Sequence, residues 1–408
     1  VLIHAATDND IHPPTFGGSQ RTFGLLRGLA RAHEVRALCV VPNRGAGAAE
    51  ERVDGVSIVR RKAWYTSAVW RLERAHLAPM FLAAAMHARR ERVWREALPG
   101  RADALLADLN LAALMGGSDA RLLVHTSHNV EFDLFRSAGA RVIARGAWAA
   151  QRRAQERRAV EAADVTVVCT AEDEQRMREL YRVDEAALAV VPNGYDETRI
   201  RPPSAAEREQ ARASLGFAPG DYVALFLGSD VPHNRAALCE LLERVLPPLA
   251  GDGIKLLVAG SVSRALAGRR EPWLLARPEA ADVSGVLHAS DAGLNPVTSG
   301  GGSNVKLPAY LAAGLAVVTT PFGLRGYSSL RPHVTSASIE EMPESLRARP
   351  LGWLARGEAM PVEVAAHAWG RLGEQLGRTL EQRLRAREAQ RAAPEAPEPR
   401  RGAAGGGR

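Results

Sequence analysis

An α/β fold with two parallel-sheet units facing across a cleft is what this sequence predicts, on three observations. Short apolar runs with β-branched members alternate with segments of helical period along most of the chain. The 408 residues exceed what one hydrophobic core usually serves, so two domains are the natural division. Each half carries a glycine cluster ahead of a helical segment, Gly17-Gly18 in one and Gly300-Gly301-Gly302 in the other.

The opening run VLIHAAT reads as a strand, and DNDIHPPTFGG as a Pro-interrupted loop that continues neither element. SQRTFGLLRGLARA places Phe23, Leu26 and Leu29 at helical spacing, with Ser19 available as its cap. EVRALCVV is the next strand, which completes a βαβ unit and implies a parallel sheet. Strands follow at 102–109 and 121–129, separated by a short turn or helix; an arginine-rich helix leads to the strand DVTVVCT. A helix from Ala171 to Tyr181 and the short strand AVVPNG close the first unit.

Residues 197–220 read as a hinge and an entry helix. The second unit opens with DYVALFLGS, a helix over Ala236 to Leu246 and the strand KLLVAGS. It continues with DAGLNPV, the loop TSGGGSN, a helix to Ala313 and the strand AVVTTPFG. Helical period returns from Val362 to Arg391 through Trp369, Leu372, Leu376 and Leu380. The expected division is 1–195, 196–360, a helix over 361–391 that crosses back to the first domain, and a disordered tail over 392–408 rich in Pro, Gly and charge.

Composition excludes several classes. No stretch reaches the length of a bilayer-spanning helix; LAPMFLAAAM at 77–86 is either a buried helix or a surface that rests on lipid or acceptor. Cys39, Cys169 and Cys239 form no CxxC pair and fit buried free thiols in a reducing compartment. The histidines show no metal-ligand spacing, so no metal is expected. The net charge of +7 comes from arginine, since the lysines are only Lys62, Lys255 and Lys306. Without a binding motif this balance is no argument for nucleic acid, and none is expected as a partner. The arginine-rich stretch from Arg141 to Arg158 is either a solvated helix face or a docking face for anionic lipid or a phosphorylated acceptor. The expected setting is the cytoplasm, with peripheral contact at the inner membrane face left open.

Glycine lets backbone amides approach a ligand, and a helix N-terminus adds unpaired N–H groups and partial positive charge; together they suit a diphosphate. A tight βα turn needs the same residues, so two such loops, one per unit, carry more weight than either alone. Lys306 follows the second loop and is placed to neutralise a departing diphosphate, or else to sit in a salt bridge. His128, at the end of a strand, is a candidate to hydrogen-bond a substrate hydroxyl, while His125 reads as structural. Glu131 either orients His128 or an acceptor, or caps the next helix. Trp64, Tyr65, Trp70, Phe81 and Trp94 mark the best candidate region for an acceptor, although packing explains most of them.

The segments FGGSQR at 16–21, HNVE at 128–131, ADVTVVCTAEDEQRM with VVPNGYD, FLGSDVPHNRAAL, the block at 290–326 and HAWGRLGEQL together resemble retaining glycosyltransferases of family 4, over about residues 1–385. The resemblance implies a GT-B fold of two Rossmann-like domains and a nucleotide-sugar donor, with no further cofactor. It implies that Gly17 and Gly18 lie near the donor diphosphate and that His128 meets the donor sugar. Asn193 and Gly194 would shape the interdomain crossing. Ser299, Gly300, Gly301, Gly302, Ser303 and Asn304 would wrap diphosphate and sugar, with Lys306 or Arg235 compensating charge. Where many members carry two glutamates, this chain has Gly300 and Pro308, so the ribose must be held otherwise.

The expected reaction is transfer of a sugar to an acceptor hydroxyl with retention. The acceptor is a carbohydrate, a lipid-linked or small molecule, or a protein. The competing readings are a non-catalytic or degenerate GT-B nucleotide-sugar-binding protein and a nucleotide-sugar epimerase.

Overall fold

The computed structural model describes residues 1–42, 48–137, 142–278 and 283–392. Residues 393–408 of the expected C-terminal tail and Arg141 lie outside the described residues. Eight strands build the first sheet: β1 (Leu2–Thr7), β2 (Glu34–Val41), β3 (Glu50–Val53), β4 (Val56–Lys62), β5 (Ala104–Ala107), β6 (Leu122–Thr126), β7 (Val165–Val168) and β8 (Leu188–Val190). Six build the second: β9 (Tyr222–Leu227), β10 (Ile254–Ala259), β11 (Leu274–Arg277), β12 (Ala292–Asn295), β13 (Ala316–Thr319) and β14 (Thr335–Ser336).

The helices of the first half are α1 (Gly17–Leu29), α2 (Trp64–Arg74), α3 (Leu82–Ala88), α4 (Glu91–Glu96), α5 (Glu131–Ser137), α6 (Arg145–Ala162) and α7 (Ala171–Tyr181). Those that follow are α8 (Ala205–Leu215), α9 (Pro232–Glu240), α10 (Ser284–Ala289), α11 (Lys306–Ala312), α12 (Met342–Arg347), α13 (Val362–Ala365) and α14 (Trp369–Ala392).

The first sheet runs β3-β4-β2-β1-β5-β6-β7-β8 and the second β11-β10-β9-β12-β13-β14. All pairings are parallel except β3 with β4. Helices cover both faces, which is why runs such as EVRALCVV and ALLA are almost continuously apolar. In each sheet the chain leaves a central strand in one direction and later returns on its other side: β1 is flanked by β2 and β5, and β9 by β10 and β12. Such reversal opens a crevice beyond the carboxyl ends of the strands, where the loops after β1, β9 and β12 lie.

The helix α14 crosses back onto the first unit. Its Leu372, Leu376, Leu380 and Leu384, spaced one turn apart, are buried in the same core as α1 and β1. Two glycines make the crossing close: a Cβ on Gly28 would stand 2.7 Å from the Cα of Gly373, and one on Gly24 would run into the Trp369 ring. Tyr195 and Ala368 form a bridge beside this crossing, and Arg27 ties α1 to Asp196 at 2.7 Å and Glu197 at 3.0 Å.

Three local expectations are corrected, and one hairpin joins the elements read from sequence. Ser19 is not the cap of α1: the helix begins at Gly17 after Phe16, and the Ser19 hydroxyl in its first turn accepts from the N–H groups of Thr15 and Phe16. Cys239 is exposed, unlike Cys39 and Cys169, because it lies on the outer face of α9. The β3–β4 hairpin was absent from the sequence reading, although Asp54-Gly55 marks it; both residues have positive φ, as a tight hairpin turn requires. The helix placed over Ala236 to Leu246 starts earlier, at Pro232, whose fixed φ suits a first turn.

Candidate functional site between the two sheets

Residues from both units converge at the facing loops. Gly17, at the start of α1, lies so near α11 that a Cβ there would meet the Val305 side chain at 3.2 Å. From the opposite side the loop 299–305 reaches the end of β6. A Cβ on Gly301 would stand 2.8 Å from Asn129 Oδ1, and one on Gly302 would stand 2.6 Å from the His128 carbonyl. Gly300 and Gly302 also have φ of 129° and 59°, so the loop needs glycine for conformation as well as for space.

Three contacts hold this loop. The Asn193 Nδ2 donates to the Ser303 carbonyl at 3.0 Å, while its Oδ1 accepts from Arg21 at 3.1 Å. Arg325 donates to the Gly302 carbonyl through Nε at 3.1 Å and through a terminal nitrogen at 2.6 Å. The Tyr327 hydroxyl donates to the Asn304 carbonyl at 3.1 Å. Asn193 thus joins α1 of the first unit to the glycine loop of the second.

Several polar atoms at this junction are buried without a partner among the described residues: Arg21 Nη2, His128 Nδ1 and Ser303 Oγ. A buried donor or acceptor left unmade costs about 1–3 kcal/mol, which a polar group entering beside it would offset. Burial, aided by the Arg21 charge, lowers the His128 pKa to about 4, so its imidazole is neutral at neutral pH. His125 is buried beside the Ala107 carbonyl, 3.3 Å from Nδ1, in keeping with a structural part.

Lys306 occupies the first position of α11 without a carboxylate partner among the described residues. Its ammonium donates to Asn234 Oδ1 at 3.0 Å and stands 4.4 Å from the centre of the Phe226 ring. Burial lowers its pKa from 10.5 to about 7. Such an amine is poorly satisfied as a cation and is stabilised by any anion that enters beside it. Arg235 does not join it: its guanidinium is paired with Asp230, and its side chain is 60% exposed. Its neighbours on α9 stand there instead, with Asn234 bonded to Lys306 and the His233 ring 3.5 Å from a Cβ on Gly300. The motif FLGSDVPHNRAAL pointed to this helix turn, but not to which of its side chains faces inward.

Glu131 begins α5 and does not hydrogen-bond His128. It accepts from Asn129 at 3.1 Å and from Arg152 at 2.8 Å. Burial pushes its carboxyl up, but the Arg152 charge outweighs this and holds it low. Behind it, Glu156 accepts from the backbone N–H groups of Glu131 and Phe132 and from the Tyr181 hydroxyl. Arg21, Arg152, Glu156 and Arg325 carry no assignment from the sequence because their partners lie far along the chain. Pro308 and Ala309, in the first turn of α11, are both buried and present no side-chain oxygen. Of the candidate acceptor aromatics, Tyr65, Phe81 and Trp94 are core, whereas Trp64 and Trp70 are exposed. Among the described residues no cluster of His, Cys, Asp or Glu is arranged for a metal, and no helix is long and apolar enough to cross a membrane.

Two parallel-sheet units with facing glycine loops and a C-terminal helix that crosses back give the GT-B fold. Solved structures share this architecture: sucrose-phosphate synthase from Thermosynechococcus elongatus superposes with a TM-score of 0.68 at 14% identity, over 94% of this chain and 99% of that one. Anabaena HepE in complex with UDP and glucose gives 0.64 at 14% identity, over 93% and 99%. At such identity the likeness speaks for the fold. Residues 16–199 match the model of Glycosyltransferase Family 4. It is 36% identical over 113 residues to a D-inositol 3-phosphate glycosyltransferase of Nocardia farcinica, and 34% over 115 residues to one of Rhodococcus erythropolis. These segments cover 26% and 28% of this chain, and only 24% and 25% of the relatives' length.

Proposed function

We propose that the chain transfers a glycosyl group from a nucleotide-sugar donor to an acceptor hydroxyl, with retention at the anomeric carbon. The observation that carries this reading is the gathering of Arg21, His128 and Ser303, each with a buried unpartnered polar atom, against a glycine loop beside a partner-poor lysine. In this reading residues 196–360 hold the donor and residues 1–195 receive the acceptor. The amides of the loops at Gly17-Gly18 and 299–304 face the diphosphate, and the neutral His128 meets a sugar hydroxyl. Lys306 regains its proton against the phosphate charge, and Asn234 keeps it aimed. The bond from the anomeric carbon to the phosphate oxygen breaks as the acceptor oxygen approaches from the same face. The acceptor proton passes to the departing phosphate oxygen, so no enzymic nucleophile is required.

With Arg235 bound to Asp230, charge compensation falls to Lys306 and the loop amides. The ribose, facing Pro308 and Ala309, is held through backbone groups. The test is a thermal-shift panel of UDP, GDP, ADP, TDP and CDP with their sugar conjugates, followed by NMR of the product's anomeric configuration. UDP-glucose comes first, since HepE holds UDP and glucose in the same fold. Preferential stabilisation by one diphosphate and its sugar is expected. Tight nucleotide binding with neither transfer nor donor hydrolysis refutes catalysis and leaves a binding protein, and an epimerised sugar refutes transfer.

A further inference from the structure

A groove of about 640 Å³ lies between α5 and α6, outside the cleft between the sheets. Its floor consists of alanines of α6 facing the Phe132 ring of α5, and its rim carries Arg136, Arg153, Arg157 and Arg158. Arg136 and Arg153, from different helices, place their guanidinium carbons 5.6 and 5.5 Å from the centre of the same Phe132 ring. None of the four side chains makes a hydrogen bond or ion pair with a described residue. Nearby arginines are matched, Arg152 to Glu131 and Arg176 to Asp133. Arg153 and Arg157 are one helical turn apart, a spacing at which like charges repel and weaken a helix. The acid at the groove's end, Glu161, leaves three of these four charges in excess.

The groove is firmly built. Glu156 of α6 accepts from the backbone N–H of Phe132 at 3.1 Å, which ties the start of α5 to α6. The alanines leave room that longer side chains would fill. Phe132 follows His128 by four residues, so the groove opens within about 14 Å of the His128 backbone. Unpaired guanidiniums around a small apolar floor suit one ligand chemistry: phosphate oxygens accept from the forked N–H donors, and an attached apolar portion covers the ring and alanines.

We propose that this groove is a binding site for a phosphate-bearing anion, distinct from the diphosphate site of the cleft. The phosphate belongs either to a phospholipid headgroup or to a soluble phosphorylated molecule. The test uses the full chain and does not depend on transfer activity. Calorimetric titration with inorganic tripolyphosphate examines the soluble source. Co-sedimentation with phosphatidylglycerol vesicles, against phosphatidylcholine vesicles, examines the lipid source.

The R153Q/R157Q variant keeps helix-forming side chains on an exposed face, and its thermal midpoint checks folding. It should bind whichever probe the wild type binds at least tenfold more weakly, and R136Q, on the other helix, should shift binding the same way. R89Q/R92Q, which removes two exposed unpaired arginines elsewhere, should leave binding unchanged. Loss of vesicle binding alone assigns a lipid headgroup, and loss of tripolyphosphate binding alone assigns a soluble phosphate. A wild type that binds neither probe, or equal loss in R89Q/R92Q, overturns the proposal.

Discussion

Replacing Lys306 by methionine tests the reasoning at its most exposed point. In the free protein the ammonium has one hydrogen bond among the described residues, to Asn234, and the Phe226 ring, and burial lowers its pKa to about 7. At pH 8 it is then roughly one-tenth protonated. A diphosphate beside it returns the pKa toward its ordinary value, where protonation is nearly complete. Binding a nucleoside diphosphate at pH 8 should therefore take up roughly 0.9 proton through this group. Calorimetry in buffers of different ionisation enthalpy measures that uptake, and K306M should abolish it along with most turnover. A shift from 10.5 to about 7 corresponds to at most roughly 5 kcal/mol. Between those pH values the unfolded chain binds the proton that the folded chain lacks, so this group makes unliganded stability rise with pH. K306M should flatten that rise and raise the unliganded melting temperature at pH 7. Equal proton uptake by wild type and K306M, or none in a wild type that binds the nucleotide, refutes the assignment.

Gly302→Ala should weaken nucleotide binding at least tenfold by thermal shift or calorimetry. Its Cβ meets the His128 carbonyl at 2.6 Å and its φ of 59° strains an L-residue. Gly220→Ala, with open space around it, is the matched control. Burial raises the Glu156 carboxyl to about 7, so the folded state binds the extra proton and this group lowers stability as pH rises from about 4.5 to 7. Chemical denaturation across that window should show the decline, with a smaller slope in E156Q. Gly373→Leu should separate α14 from α1 and cost about 1–3 kcal/mol in urea unfolding, because its Cβ would lie 2.4 Å from the Gly28 Cα. An unchanged midpoint would show that the crossing helix does not brace the first unit.

Much of the fold is legible locally. Strands buried on both faces read as apolar runs, and amphipathic helices carry their period, so β1, β2 and α7 fall where the sequence places them. The glycine loops are legible too, since positive φ and close approach restrict the residue type. The short strands β11 and β14 are not: both lie at sheet edges and neither is fully buried, unlike the equally short β5, β7, β12 and β13.

The site divides the same way. Glycine content, order along the chain and the family resemblance together single out Gly300 to Asn304, His128 and Lys306 as candidate chemistry-bearing groups. Only the tertiary structure decides what each one meets. Asn193 and Ser303, 110 positions apart, touch because the loops of both units meet at one crevice, and Lys306 and Asn234, 72 apart, touch because β9 and β12 are neighbours in the second sheet. Arg235 and Asn234 are adjacent in sequence, yet the turn of α9 sends one to solvent and Asp230 and the other to Lys306. A residue's type is written in the chain, but its partner depends on helix phase and on chain crossings that local sequence does not encode.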